Sequence, residues 1–365
     1  MKVVVIGTRG IPNIQGGVET HCEELYPRLV EMGCDVTIMR RSCYVKPDNK
    51  VTEYKGVKLV DVFAPHKKSL EAIAHSMWSV IKARRLNPDL VHVHAIGPGL
   101  AIPFARLLGL KVVSTNHGPD YDRKKWGTLA KTMLRLGEWC QAHFSNEVIV
   151  ISQVIADIMS NNYGRRDTNL VYNGVPVPVK SGETDYISSL GLEPKKYVLA
   201  LGRFVEEKGF HYLIEAWKHV ADKKGFKLVI AGDADHEDEY SRNLKSLAKE
   251  NQVVLTGFIK GEKLKEILTN AGLFVLPSSH EGLPISLLEA MSYNIDALVS
   301  DIPANTIPSL SHDDFFKCGD TEDLTKALKR KIDTIQMNRI YNLDSYNWDT
   351  IAKQTLEVYR KVVNK

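Results

Sequence analysis

The sequence lacks long apolar runs. None of its 365 residues lies in a stretch that approaches the roughly 20 apolar residues needed to span a bilayer as a helix. The chain starts with MKVVVIGTRG, which is typical of a strand and a turn and not of a charged, apolar export signal. We therefore expect a cytoplasmic protein.

Cysteine and two common motifs are also scarce or absent. The five cysteines include no CxxC pair, which argues against a structural zinc site, and no disulfide is expected. Neither half carries GxGxxG after its first strand, which argues against a nicotinamide dehydrogenase. No DxD motif lies in a loop after a strand; the nearest is DAD at 233–235, where metal binding is the alternative to an ordinary turn.

Charge is distributed unevenly. Residues 1–180 contain 24 Lys and Arg against 16 Asp and Glu, whereas the remainder contains 24 against 28. Two Trp-bearing segments, 66–86 and 122–139, concentrate the positive charge beside apolar residues. Such helices can lie on an anionic membrane surface, or they can simply expose a solvated face opposite a core face. From these segments alone the solvated face is favoured, with the membrane surface as the alternative.

Short Val- and Ile-rich runs alternate with amphipathic segments along the chain. Such runs are typical of parallel strands buried on both faces, with helices between them. A polar stretch near 175–195 separates two series, so the fold class is α/β with two Rossmann-like doubly wound domains. The predicted strands are 2–7, 35–40, 89–95, 111–116 and 147–152, then 197–202, 227–232, 253–258, 271–278 and 296–301.

Ligands of such sheets bind beyond the carboxyl ends of the strands. The first turn ends in Gly16 and Gly17 at a helix start, where backbone N–H groups could hold a phosphate or a sugar; a tight turn without a ligand is the alternative. In the second half, Arg203 and Lys208 follow a strand and could hold a diphosphate; ordinary surface charges are the alternative.

The stretch HEGLPISLLEAMS, residues 280–292, places two glutamates around a helix start. The first N–H groups of a helix lack intrahelical partners and suit an anionic phosphate. Glu281 would lie at the rim of this site and accept hydrogen bonds from hydroxyls. Glu289, two turns along the helix, could bind the vicinal hydroxyls of a ribose. A phosphate site between two carboxylates that bind hydroxyls is the pattern expected for a nucleotide sugar.

Two further pairs of residues allow alternatives. His92 and His94 share one face of a strand and could bind a metal, although a buried, hydrogen-bonded pair is favoured. Asp120 and Asp122 lie near His117 and could supply an acceptor-side base, or they could cap the helix that starts nearby.

Four motifs resemble those of the retaining GT-B glycosyltransferases of family 4. They are GGVET, GRFVEEKG, EGLPISLLEAMS and the closing YNLDSYNWDTIAKQTLEVYRKVV. MKVVVIGTRGIPNIQGGVET and NHGPDYDRKKWGTLAK are similar to the rhamnosyltransferase-like branch of bacterial surface-polysaccharide enzymes. The family usually has Gly and Pro where Asn294 and Asp296 stand, so this turn departs from the family pattern.

The resemblance implies a domain organisation. It indicates an acceptor-binding domain at 1–180, a nucleotide-sugar-binding domain at 181–345, and a helix at 346–365 that crosses back to the first domain. The two domains would face an interdomain cleft.

The resemblance also implies roles for single residues. Arg203 and Lys208 would grip the donor diphosphate, while Glu281 would contact the transferred sugar and Glu289 the ribose. His117 matches the active-site histidine of the family, beside the sugar. Further donor contacts would come from Gly16, Gly17, Phe258 beside the nucleobase, and the backbone N–H groups from Gly282 through Leu283 and Pro284 to Ile285.

Retention in this family is attributed to front-face attack, in which a departing phosphate oxygen takes the proton of the acceptor. Neither a protein nucleophile nor a metal would be required, so no cofactor is expected. The expected partners are a nucleotide-diphosphate sugar and a saccharide or polyprenyl-diphosphate-linked acceptor, without nucleic acid. A non-catalytic nucleotide-sugar-binding module is the alternative.

Overall fold

The structure is a computed structural model that describes residues 1–47, 49–65, 71–122, 127–234 and 237–364, without the side chain of Asp122. The chain divides into two compact units. Unit 1 comprises Met1–Gly174 and Ser345–Lys365, and unit 2 comprises Val175–Asp344. The closing residues of the chain therefore belong to unit 1.

Unit 1 is built on one eight-stranded sheet. Its strands are β1 (Lys2–Ile6), β2 (Asp35–Arg41), β3 (Glu53–Tyr54), β4 (Val57–Val62), β5 (Leu90–His94), β6 (Val112–Asn116), β7 (Glu147–Val150) and β8 (Asn169–Leu170). They lie in the order β3-β4-β2-β1-β5-β6-β7-β8, parallel except for β3 against β4. The chain leaves β1 first to one side and later to the other, so the topological switch point lies between β1 and β5.

Helices cover the sheet of unit 1. They are α1 (Gly17–Glu31), α2 (Glu71–Leu86), α3 (Ile102–Leu107), α4 (Thr128–Phe144) and α5 (Gln153–Tyr163). Helix α1 packs a buried face that includes Cys22, Leu25, Tyr26 and Leu29 into a core with Val3, Val5 and Ile38 of the sheet. In the part of the chain that the structure describes, no helix is long and apolar enough to cross a membrane.

Unit 2 repeats this architecture with six parallel strands. Its elements are α6 (Asp185–Ser189), β9 (Tyr197–Leu201), α7 (Phe210–His219), β10 (Lys227–Ala231), α8 (Glu239–Glu250), β11 (Val254–Leu255), α9 (Glu262–Asn270), β12 (Leu273–Leu276), α10 (Ile285–Ser292), β13 (Asp296–Ser300), β14 (Phe315–Phe316) and α11 (Thr321–Asp333). The strand order is β11-β10-β9-β12-β13-β14, so the switch point lies between β9 and β12.

The last helix, α12 (Trp348–Val363), packs in the core of unit 1. The side chain of Asn347 caps it by accepting a hydrogen bond from the N–H of Asp349 at 2.8 Å. A Cβ atom on Gly174 would lie 2.4 Å from Cδ2 of Trp348, so only glycine allows the chain to pass this indole where unit 1 meets the start of unit 2 in sequence.

The predicted α/β fold class with two Rossmann-like domains is confirmed, and all ten predicted strands are present. The turn before β13, where the family pattern is not kept, is stabilised differently. Asn294 adopts a left-handed conformation with φ 61°. Asp296 is fully buried and pairs with Nζ of Lys331 at 2.8 Å and with Arg339 at 3.1 Å, and the same two cations bind Asp314.

Candidate active site

In unit 2 the loops after β9 and β12 meet at the switch point of the sheet. Nζ of Lys208 lies 2.6 Å from Oε1 of Glu281, and the two side chains are only 16% and 11% exposed. Burial acts to raise the pKa of the Glu281 carboxyl, but the Lys208 ammonium, with smaller contributions from Ser278 and His280, outweighs it, and that pKa lies below its usual 4.5. The carboxylate is therefore ionised at neutral pH, at the edge of the sheet where α/β domains bind ligands.

Two backbone contacts hold these loops together. The N–H of Ser279 donates a hydrogen bond to the carbonyl of Glu207 at 2.8 Å. Gly209 has φ 67°, and a Cβ atom there would lie 2.1 Å from the carbonyl oxygen of Pro277. Because this approach excludes any side chain, Gly209 positions the lysine-bearing turn against the end of β12.

Helix α10 begins at the end of the same loop. Its N-cap residue is Pro284, whose side chain has no acceptor and therefore leaves the first turn without a side-chain cap. Pro284 also has no N–H, so one part of the prediction is wrong. Four residues were expected to donate backbone N–H groups to phosphate and sugar. Only Gly282, Leu283 and Ile285 have such an N–H group.

The other residues predicted to contact the donor occupy separate places in unit 2. Arg203 lies two residues beyond β9 and Glu289 lies in the second turn of α10, and both are half-buried. Phe258 lies in the loop after β11 with 43% of its surface exposed. Their contacts with a ligand stay predictions.

In unit 1 the loop between β1 and α1 is shaped by Glu19. Its Oε1 accepts a hydrogen bond from the N–H of Arg9 at 3.0 Å and one from the Thr8 hydroxyl at 3.3 Å. Gly16 has φ 153°, and a Cβ atom there would lie 2.0 Å from Oε2 of Glu19. Gly17 is exposed, with open space where a Cβ atom would be. The positive φ of Gly16 therefore favours glycine at this position, and the approach of both glycines to a ligand stays a prediction.

Beside this loop, the switch point of unit 1 holds a cluster of histidines. Nε2 of His117, which follows β6, lies 2.9 Å from Nδ1 of His94, the last residue of β5. The rings of His21 and His117 meet edge to face with centroids 5.1 Å apart. Burial lowers the pKa of His21 to about 4 and of His92 to about 3, and it lowers the pKa of His94 and His117 well below 6.5. The cluster is uncharged at neutral pH.

His92 and His94 form the buried, hydrogen-bonded pair that the sequence favours. Nδ1 of His92 lies 2.6 Å from the Tyr359 hydroxyl, and its Nε2 lies 2.7 Å from the Thr115 hydroxyl. Nε2 of His94 contacts the hydroxyl of Tyr26. Among the described residues, no three His, Cys, Asp or Glu side chains are placed to hold a metal ion. For the DAD motif, Asp235 lies outside the described residues.

The chain around His117 is anchored by a buried glutamate. Asn116 donates a hydrogen bond to Oε1 of Glu138 at 2.8 Å and accepts one from the N–H of Gly118 at 2.9 Å. The hydroxyl of Tyr163 donates to the other oxygen of Glu138 at 2.8 Å. Helix α4, through its buried face, therefore fixes the turn that carries His117.

The two aspartates beyond His117 begin and end a short 3-10 turn, Asp120–Asp122. The N-cap position of α4 is occupied by Gly127 and by neither aspartate. The alternative prediction, that these aspartates cap α4, is therefore wrong, because that helix starts further along the chain. The acceptor-side role of Asp120 and Asp122 stays a prediction, and the side chain of Asp122 lies outside the described part of the structure.

The residues that shape this region and were not predicted from the sequence include four on helices. Each is a polar residue on the buried face of a helix, where a polar group needs a hydrogen-bond partner. Tyr26 illustrates the signal, since it lies between Leu25 and Leu29 on the apolar face of α1. The four are Glu19, Tyr26, Glu138 and Tyr359.

The two halves of the chain match two family models. Residues 15–177 match the one described as Glycosyltransferase Family 4, and residues 183–339 match Glycosyl transferases group 1. The amylovoran biosynthesis glycosyltransferase AmsD of Erwinia amylovora is 24% identical over 368 residues, which cover 100% of this chain and 99% of that protein.

Solved structures show the same fold over the whole chain. Sucrose-phosphate synthase from Thermosynechococcus elongatus has a TM-score of 0.78 at 18% identity, covering 100% of this chain and 99% of that one. Anabaena Alr3699/HepE in complex with UDP-glucose has a TM-score of 0.75 at 18% identity, covering 100% and 98%. With both units matched, the chain belongs to the GT-B glycosyltransferases, with a family 4 N-terminal half and a group 1 C-terminal half.

Proposed function

We propose that the protein transfers a hexose or deoxyhexose from a nucleotide-diphosphate sugar, with retention of configuration, to a saccharide or lipid-linked saccharide of a bacterial surface polysaccharide or exopolysaccharide. The observation that carries this proposal is the buried Lys208–Glu281 pair at the switch point of unit 2. A cation suits the diphosphate, and a carboxylate suits the sugar hydroxyls. The similarity to AmsD, named for amylovoran biosynthesis, supports a polysaccharide product.

Different side chains bind different parts of the donor. Lys208 and Arg203 stabilise the negative charge that grows on the departing diphosphate. Glu281 accepts hydrogen bonds from the transferred sugar, and Glu289 accepts them from the ribose. Because Lys208 pairs with Glu281 before any ligand binds, both groups are ordered in advance, which lowers the free energy spent on arranging them. His117 is proposed to contact the sugar as well.

The chemical step needs few protein groups. The acceptor oxygen forms a bond to the anomeric carbon on the face from which the diphosphate oxygen departs. That departing oxygen takes the proton of the acceptor. The residues named above therefore act by charge and position, and no protein nucleophile, metal or other cofactor enters the step.

A second part of the proposal concerns the membrane face, where acceptors carried on polyprenyl diphosphate lie. On α4, Leu129, Leu136 and Trp139 are 79%, 46% and 41% exposed, and their spacing places them on one side of the helix. Arg135, also exposed, adds positive charge beside them. A solvated face would be polar, whereas an apolar stripe with a tryptophan and a cation suits an anionic lipid surface. We infer peripheral attachment of a cytoplasmic enzyme.

Turnover of candidate donors tests the main proposal. Purified protein is incubated with UDP-, dTDP- and GDP-sugars, with and without saccharide acceptors, and release of nucleoside diphosphate is measured. Lys208→Ala and Glu281→Ala should each abolish transfer while circular dichroism shows a folded protein. Lys326→Ala, which removes an exposed lysine from α11, is the matched control and should retain full turnover.

Two outcomes would contradict the proposal. Turnover retained in both Lys208→Ala and Glu281→Ala would remove the site assignment. Donor binding by the wild-type protein without transfer and without slow donor hydrolysis would favour the non-catalytic binding module instead.

A further inference from the structure

The histidine that the proposed function places beside the sugar lies at one end of a buried chain of hydrogen bonds. Nε2 of His117 meets Nδ1 of His94 at 2.9 Å, and Nε2 of His94 meets the Tyr26 hydroxyl. The same hydroxyl lies 3.0 Å from Nδ1 of His92. Nδ1 of His92 also meets the Tyr359 hydroxyl at 2.6 Å.

The residues of this hydrogen-bond chain come from parts of unit 1 that are distant in sequence. Tyr26 lies in α1, His92 and His94 lie in β5, and Tyr359 lies in α12. Tyr359 is 267 positions from His92 in the sequence. His92, His94, Tyr26 and Tyr359 are each inaccessible to solvent, whereas His117 keeps partial exposure. Water therefore does not compete for the inner links, and each donor must find its acceptor within the chain.

The number of protons fixes how such a chain can be ordered. A neutral imidazole has one N–H and one acceptor nitrogen, and a tyrosine hydroxyl has one proton to donate. If Tyr26 donates to Nε2 of His94, then Nδ1–H of His94 donates to Nε2 of His117, and the proton of His117 lies on Nδ1. If Tyr26 accepts from His94, the order reverses and Nε2 of His117 carries the proton.

The contacts of His92 favour the first order. Nδ1 of His92 lies closer to the Tyr359 hydroxyl, at 2.6 Å, than to the Tyr26 hydroxyl, at 3.0 Å. Tyr359 therefore supplies the proton for His92, and Nε2–H of His92 is left to donate to the Thr115 hydroxyl at 2.7 Å. The Tyr26 hydroxyl also neighbours that of Tyr359, and in the first order its proton goes to Nε2 of His94, which it contacts.

We propose that Tyr26 and His94 are positioning residues that hold His117 in the Nδ1–H tautomer and in one ring orientation. Nε2 of His117 then accepts the hydrogen bond from His94. The Nδ1–H group of His117 takes no part in the hydrogen-bond chain and can donate to a ligand. In the proposed function, on which this role in transfer rests, that group donates to an oxygen of the sugar and cannot act as a base. The ligand class for His117 is therefore a hydrogen-bond acceptor.

Histidine NMR of the full-length protein tests the tautomer directly. Long-range proton–nitrogen spectra of protein labelled with ¹⁵N-histidine, with His117 assigned by His117→Asn, distinguish a protonated Nδ1 from a protonated Nε2. We expect the Nδ1–H pattern in the wild type at pH 7.5. Tyr26→Phe should shift it toward the Nε2–H pattern and lower kcat about tenfold, with KM changed less than about twofold.

Matched variants separate this role from a structural one. Tyr54→Phe also removes a hydroxyl in unit 1, from a partly buried tyrosine packed against the core, and should change neither the His117 signals nor kcat. His94→Asn retains a donor near the position of Nδ1 and should keep the tautomer that His94→Leu loses. The proposal is overturned if wild-type His117 carries its proton on Nε2, or if its signals are unchanged in both Tyr26→Phe and His94→Leu.

The same spectra separate this proposal from the proposed function. They are recorded without substrate, so a wild type that transfers no sugar would contradict the proposed function while the His117 pattern still decides the tautomer. A tautomer that changes in Tyr26→Phe with an unchanged kcat would support the hydrogen-bond chain and overturn its role in transfer.

Discussion

The ammonium of Lys208 donates a hydrogen bond of 2.6 Å to Glu281, although 73 positions separate the two residues in the chain. The pair exists because β9 and β12 are neighbours in the sheet of unit 2, so the loops that follow them meet at one edge. An ammonium has three donors, so Lys208 can hold the glutamate and still face a diphosphate. Glu281 can likewise accept from a sugar hydroxyl through its remaining lone pairs.

The contribution of this pair to stability should depend on pH. The pKa of Glu281 in the folded protein lies below its usual 4.5, so the stabilisation is fully present above pH 4.5 and is lost as the pH falls through the folded value. Urea unfolding of wild type and Glu281→Gln between pH 7 and 3 measures it. The difference in free energy of unfolding should be constant at the upper end and shrink at the lower end; an unchanged difference at pH 3 would contradict the ionised pair.

Gly209→Ala should weaken donor binding and destabilise unit 2. The added Cβ atom would meet the carbonyl oxygen of Pro277 at 2.1 Å, so the lysine-bearing turn must move away from β12. Gly225→Ala is the matched control, because Gly225 also has positive φ, 80°, but open space around it. The control should cost about 1 kcal/mol from backbone strain alone. Equal losses of thermal stability in the two variants would remove the steric argument.

Lys331→Ala should destabilise unit 2 by about 3 kcal/mol, since it leaves the buried carboxylates of Asp296 and Asp314 with one cation fewer. The side chains of Lys331, Asp296 and Asp314 are 6%, 0% and 1% exposed. Lys326→Ala on the same helix breaks only an exposed pair with Glu322 and should leave the urea midpoint nearly unchanged. Similar midpoints for the two variants would mean that the buried network adds no stability.

Leu136→Ser combined with Trp139→Ser should abolish salt-sensitive binding to liposomes that contain anionic lipids. The two side chains belong to the exposed apolar stripe of α4, and the surrounding basic charge makes attachment weaker at high salt. Pelleting at low and high salt measures the effect. Ile340→Ser, at an 88% exposed apolar residue of unit 2, is the control and should bind like the wild type. A wild type that fails to pellet at low salt would remove the membrane proposal.

The central parallel strands of both sheets could be predicted from the sequence, because runs such as KVVVI and YVLAL are apolar on both faces. Strands β3, β8 and β14 could not, since each has only two residues and no apolar run around it, and β4 (Val57–Val62) was missed because the exposed Lys58 and Asp61 interrupt its apolar residues. The antiparallel step from β3 to β4 was missed for the same reason.

The candidate site, too, could be predicted from the sequence only in part. Glu281 and Lys208 lie in turns after predicted strands, so their meeting follows from the strand order of a doubly wound sheet. The partners of His117 do not follow, because Tyr26 and Tyr359 reach β5 from two different helices and no local pattern specifies which buried polar groups meet. Asp296 is a further case, since its cations come from Lys331 and Arg339.

The most direct test of the account is a thermal-shift panel of UDP, dTDP, GDP and their sugars against wild type and Lys208→Ala. A ligand at 100 times its dissociation constant adds about 2.7 kcal/mol of stability. At least one of these compounds should raise the melting temperature of the wild type, and the same compound should leave Lys208→Ala nearly unshifted because the diphosphate has lost its cation. No shift with any compound, or equal shifts in both proteins, would contradict a diphosphate site at Lys208 and Glu281.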